Sequence, residues 1–163
     1  MSDEMRSEFL TQPHVGVLAT LRRNGLPYTV PVWWLWHDDA FWLSGTTTRM
    51  WCRQLQHDPR ASLCIETMTP HPGHVGVDGP VEVHLAEEYD IWPISRLLAE
   101  KYVGRGDPAK DAAVDAFFAN MQTEPRMLFS LRPRNDRNGM RAIDMSVYEG
   151  KKADRKFQQD RST

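Results

Sequence analysis

Four adjacent residues, Thr46, Thr47, Thr48 and Arg49, set three hydroxyls and a guanidinium just ahead of an amphipathic stretch. A helix starting there would add free backbone N–H groups and the positive end of its dipole, and the set would then suit a phosphate. The plainer reading is a helix cap on Thr47 or Thr48 with threonines at the surface. A second candidate is the run Val30, Pro31, Val32, Trp33, Trp34. Pro31 cannot donate to a ladder, so the strand around it is an edge or a bulge whose backbone is free to meet something else. Five of the six tryptophans lie between Trp33 and Trp51. Such aromatic density marks a core, a subunit contact or the wall of a pocket for a flat ligand. His71, His74 and His84 give no metal-site spacing, so no metal is expected. No Gly-x-Ser-x-Gly elbow and no P-loop occurs, so neither a nucleophilic triad nor a nucleotide-triphosphate site is expected, and no side chain is assigned as a catalytic acid or base. Cys52 and Cys64 read as reduced, half-buried thiols.

The elements that must position these residues follow from periodicity. Asp3–Gln12 reads as a helix capped by Ser2 or Asp3 and stopped by Pro13. His14–Leu21 reads as a strand with Val15, Val17, Ala19 and Leu21 on one face. Asn24-Gly25 signals a hairpin turn in which both residues accept positive φ. Pro27–His37 reads as one long strand in which Trp33 and Trp34 point to opposite faces. Ala40–Gly45 is a strand and Thr46–His57 a helix ended by Asp58-Pro59. Ala61–Met68 is a strand. His74–Val77 and Val81–Leu85 form a strand pair interrupted at Asp78-Gly79. Glu88–Tyr102 and Pro108–Met121 are helical, divided by Gly104-Arg105-Gly106. Arg126–Arg132 and Met140–Met145 are the last strands. The expected fold is mainly β with helices: an antiparallel barrel closed on itself to remove its edges. One domain spans residues 1–148, and a polar tail spans 149–163.

The chain has 163 residues, 40% hydrophobic and 26% charged, which suits a single domain of ordinary globular composition. A net charge of −2 gives no general field for nucleic acid. No apolar run spans a membrane and no signal peptide is evident, so a cytoplasmic protein is expected.

Segment His14–Glu66, with HVGVLATLRRNGLPYTVPVWW, FWLSGTTTR, LQHDPR and ASLCIE, resembles the pyridoxamine 5′-phosphate oxidase-like family of flavin-binding split β-barrels. HVGVDGPVEV and LAEKYVG continue the likeness. The resemblance implies a homodimer with FMN at each subunit interface and a small organic molecule as substrate. It implies phosphate capture by Thr46, Thr48 and Arg49, with Arg53 one turn on. It places the isoalloxazine against Val30, Pro31, Val32 and Trp33, with Ser44 and Gly45 close by. It brings His74 to the cofactor of the other subunit, and makes Trp51 and Trp92 candidate walls. Two departures stand out. The family often has Ser-Arg-Lys shortly before the helix leucine, where this chain has Arg49, Met50 and Trp51, so the lysine is lost. The basic C-terminal motif of the true oxidases is also missing, which argues against vitamin B6 oxidation. A related branch binds a deazaflavin (coenzyme F-420), whose anionic tail would want a basic groove; Arg132, Arg134, Arg137 and Arg141 crowd one hairpin, although such a hairpin is ordinarily just solvated. The reading is therefore a flavin- or deazaflavin-dependent oxidoreductase, with a non-catalytic flavin- or haem-binding protein as the alternative.

Overall fold

The computed structural model describes residues 1–69, 72–136 and 139–146. His71, Arg137 and the tail 149–163 lie outside the described residues, as do the readings that fall on them. The elements run α1 (Asp3–Thr11), β1 (Gly16–Leu21), β2 (Pro27–Val32), β3 (Leu35–His37), β4 (Ala40–Thr46), α2 (Met50–His57), β5 (Arg60–Thr67), β6 (Gly73–Leu85), α3 (Trp92–Ala99), a π-helical turn (Glu100–Gly104), a 3-10 turn (Pro108–Lys110), α4 (Asp111–Met121), β7 (Arg126–Leu131) and β8 (Met140–Asp144).

All strand pairs are antiparallel, in the order β2-β1-β5-β6-β7-β4-β3, with β8 added to β6. The first half of β6 pairs with β5 and β8, and its second half with β7, so this one strand passes between two sub-sheets. β6 is therefore continuous where an interruption is expected. Gly79 does not break it; a Cβ there would lie 1.9 Å from the Arg132 carbonyl oxygen, so the glycine lets the two backbones touch.

The sheet is mainly β with helices and split, as expected, but it is not closed. The expected strand Pro27–His37 is two strands, broken at Trp33-Trp34, and its halves sit at opposite ends of the sheet path. A strand that must leave one sub-sheet and enter the other cannot stay paired while it crosses. Pro31 lies on β2, which has a neighbour on one side only, where a missing N–H costs nothing.

The faces of β1 correct a second expectation. Gly16, Leu18 and Thr20 are buried, whereas Val15 and Val17 are 50% and 47% exposed. The valine stripe is thus the outer face of the sheet. In the hairpin, only Gly25 has positive φ (81°), and Arg22 N–H bonds the Leu26 carbonyl, so three residues rather than two make the loop. On α4, Val114 and Met121 are buried while Ala112 and Ala116 are exposed.

Trp34, at the strand break, is fully buried in the main core with Leu18, Phe41, Leu63 and Phe129. Trp42 belongs to a second cluster under α3, with Ile91, Ile94 and Leu128. Trp33 stays 40% exposed, so the two adjacent tryptophans do point to opposite sides. The break itself is held by Tyr102 from the π-helical turn. Its hydroxyl accepts the Trp34 N–H at 3.1 Å and donates to the His14 carbonyl at 2.8 Å, and the Trp34 indole N–H reaches the same carbonyl at 2.7 Å. Burial pushes the phenol well above its ordinary pKa, so it remains a donor. Tyr102→Phe leaves a buried N–H unpaired, and urea unfolding is expected to show a loss of about 1–3 kcal/mol.

Candidate functional site

A cleft of about 400 Å³ opens beside the strand break, a size at the lower end of those that hold small ligands. One wall is Pro31, Val32 and Trp33 at the end of β2. A second is Ser44 on β4, Arg49 ahead of α2, and Trp51 on its first turn. The helical side supplies Leu98, Ala99, Phe117 and Met121, and Val15 and Arg126 complete the lining. Trp33 is fixed by stacking on Tyr102, with ring centroids 4.7 Å apart and planes within 3°, and it tilts against Phe117 at 5.5 Å. An indole held this way offers a flat wall without further ordering cost.

The polar end is cationic. Arg126, the first residue of β7, donates to Ser44 Oγ at 3.2 Å and pairs with Glu124. Its side chain is only 11% exposed, and its Nε is buried with no hydrogen-bond partner among the described residues. Trp51 Nε1 is buried and unpartnered too. Two orphaned donors at one cleft wall are costly unless an acceptor reaches them. Arg49 is exposed and makes no ion pair among the described residues. Both guanidiniums act on the Cys52 thiol, but burial outweighs them and pushes it up to about 12. Cys52 is therefore an inert core group, buried rather than half-buried, while Cys64 is exposed and both thiols are free.

Of the residues singled out in the sequence, the cleft brings together Pro31, Val32, Trp33, Ser44, Arg49 and Trp51. The others stand elsewhere. Val30 packs against the main core. Gly45 lies under α2, where a Cβ would sit 2.3 Å from Cys52 Sγ and 2.6 Å from the Trp51 ring. Thr46 is buried and shares a 3.0 Å hydrogen bond with Thr48. Neither Thr47 nor Thr48 caps α2: the helix starts at Met50, its N-cap is Arg49, and no side chain bonds its first turn. Arg53 faces the opposite side of α2, in a separate cleft of about 330 Å³ with Arg22, Arg23 and His57. His74 is on β6 between Glu66 and Ile143, on the outer face of the sheet. Trp92 packs against the second cluster and meets Phe118 edge-on. Arg132 bonds the Asp38 carbonyl, Arg134 pairs with Asp136 and Arg141 with Asp78. No group of three or more metal-ligating side chains occurs among the described residues, and no helix among them is long and apolar enough to cross a membrane.

Sequence reasoning missed Arg126, Leu98, Ala99, Phe117, Met121 and Val15. The helical four lie within the two expected helices Glu88–Tyr102 and Pro108–Met121, but helical periodicity does not say which cleft a residue covers. Arg126 opens a strand, and only the β4–β7 register, which pairs Ser44 with Leu128 and Thr46 with Arg126, sets it beside Ser44.

The family model described as pyridoxamine 5′-phosphate oxidase matches residues 1–134. No curated protein matches the chain. Among solved structures, it is similar to the conserved hypothetical protein Rv2991 from Mycobacterium tuberculosis, with TM-score 0.71 and 22% identity over 91% of this chain and 88% of that one. It is similar to an F420 reductase, with TM-score 0.57 and 22% identity over 78% and 91%. It is also similar to HutZ, the haem storage protein from Vibrio cholerae, with TM-score 0.58 and 18% identity over 85% and 92%. At these identities the likeness is one of fold.

The packing of α2 on β4 sets the polar wall of the cleft. Gly45→Ala is expected to cost about 1–3 kcal/mol in urea unfolding because it drives a methyl into Cys52 and Trp51, whereas exposed Thr47→Ala is expected to change stability by less than about 0.5 kcal/mol.

Proposed function

Because the chain belongs to the pyridoxamine 5′-phosphate oxidase family, we propose that it is a flavin- or deazaflavin-dependent oxidoreductase acting on a small organic acceptor, with the cofactor in the cleft beside Trp33. One observation carries this reading: a flat aromatic wall, two arginines, and the unpartnered buried donors Arg126 Nε and Trp51 Nε1 meet in one cleft. The donor set fits the group. Arg49 and Arg126 would take the phosphate, with Arg126 replacing the cation lost at Trp51. Pro31, Val32 and Trp33 would bear on the ring, and the unpaired rim of edge strand β2 would meet its polar side. The cofactor supplies the hydride or electron chemistry. The chain's own residues bind, orient and exclude water. No histidine lines this cleft among the described residues, which favours a flavin over haem there.

The proposal includes a homodimer in a cytoplasmic setting. Support for the dimer comes from the outer face of the sheet, where Val15, Val17 and Ile143 are 50%, 47% and 36% exposed. His74 shares that face and would approach the other subunit's cofactor. Val17→Asp is expected to shift the protein toward monomer in sedimentation velocity; an unchanged dimer, or a wild type that is monomeric, would count against this interface.

A specific observation bears on which cofactor is bound. The cleft across α2 gathers Arg22, Arg23, Arg53 and His57, with no carboxylate in its lining among the described residues, which suits a long anionic tail. Titration with FMN and with the deazaflavin, followed by absorbance, tests the reading. Arg49→Ala and Arg126→Ala are each expected to weaken the bound cofactor about tenfold or more, in keeping with loss of a charge-assisted contact. Arg53→Ala is expected to weaken the deazaflavin alone. Cofactor bound without turnover of any acceptor would support the non-catalytic alternative. A chain that binds neither cofactor would mean that Trp51 marks a lost site.

A further inference from the structure

On the other side of the strand break lies a larger cleft, about 880 Å³, between α1, β3 and the end of the π-helical turn. We propose that it is a second binding site, which takes an organic anion with an apolar body, and that Lys101 and Arg105 are its anchors.

Three independent observations meet there. The first is Lys101, on the π-helical turn. Its ammonium lies 3.3 Å over the Trp34 ring and donates to the Leu10 carbonyl at 3.0 Å, and no carboxylate pairs with it among the described residues. A half-buried cation is normally paired with a counter-ion, and this one is not, among the described residues. The second is the backbone that presents it. A π-helical turn is rare and gathers at functional sites. This one ends on Arg105 in the left-handed region (φ 54°, ψ 30°), a conformation that glycine would hold more easily. Arg105 N–H closes the turn on the Glu100 carbonyl, and its Nε bonds the Tyr102 carbonyl, which fixes the guanidinium at the cleft. The third is the lining. Leu35, Trp36, Pro13 and Met140 give an apolar wall, with Arg6, ion-paired to Asp3, and Asp39 at its polar rim. An anion with an apolar body satisfies both parts.

The groups around Lys101 are Arg6 on α1, paired there with Asp3, His14 beyond it, Tyr102 and Arg105 on and after its own turn, and Asp39 in the β3–β4 turn. Burial lowers the Lys101 amine to about 7, while the Trp34 face and the Leu10 carbonyl favour its charged form. An anion bound against it holds the proton on, so binding takes up a proton above pH 7 and affinity falls as pH rises. A site built from arginines alone would be flat over that range.

The test uses 2-naphthoate as probe and 2-naphthylmethanol as its neutral counterpart, titrated calorimetrically into the full chain at pH 6 and pH 9. Saturable binding of the naphthoate is expected, about tenfold or more weaker at pH 9, and undetected for the alcohol. Arg105→Ala, at an exposed position, is expected to weaken binding about tenfold with an unchanged circular dichroism spectrum. Lys101→Arg is expected to keep binding and abolish its pH dependence, a change that a purely structural lysine would not produce. Arg49→Ala, in the other cleft, is expected to leave naphthoate affinity unchanged. No binding, equal binding of the alcohol, or loss in Arg49→Ala with retention in Arg105→Ala would overturn the proposal.

Discussion

A single phenolic hydroxyl joins the places where the two sub-sheets part. Between β2 and β3 the chain leaves one sheet path and enters the other, so Trp33 and Trp34 have no strand partners for their backbone groups. In a core that excludes water, such groups must still be paired. The Tyr102 hydroxyl pairs with the Trp34 N–H and ties the His14 carbonyl to it. The same ring lies flat under Trp33. One residue thus closes the split, fixes the exposed indole and docks the helical half of the chain on the sheet.

The two clefts follow from that arrangement. Trp33 faces one of them, and Trp34 turns inward, where its ring carries the Lys101 ammonium. Lys101 and Tyr102 are neighbours on a π-helical turn whose geometry sends successive side chains to different sides of the break. A regular helix would cap at this point with a glycine; here Arg105 holds the left-handed position and Gly106 follows at φ 72°. Gly45 performs the corresponding service for the first cleft. It lets Trp51 and Cys52 press onto β4, so the wall that lacks the family's lysine is nonetheless set against the Arg126 guanidinium.

Much of the fold was legible from patterning, because strand and helix periods report which residues share a face. The helix Asp3–Thr11, the strands near 16–21, 40–46, 60–67 and 126–131, and the opposed directions of Trp33 and Trp34 agree with that reading. The failures have physical causes. Val15 and Val17 are as apolar as core residues, but they lie outside, because Gly16 and Leu18 take the inner face beneath Trp34. The Thr46–Arg49 run has the residue types of a side-chain cap and makes no such bond: Thr46 completes a strand, the Thr47 N–H is taken by the Pro125 carbonyl, and the N-cap position falls to Arg49.

Local backbone preference and side-chain period are enough to specify the mainly antiparallel character of the fold, the edge position of Pro31 and the concentration of aromatic residues at one place. That the sheet stays open, that Arg126 stands beside Ser44 and that Lys101 lies on Trp34 are settled by long-range packing. Those are contacts between residues 82 and 67 positions apart in the chain. They depend on register and on how helices dock, and no local preference encodes either.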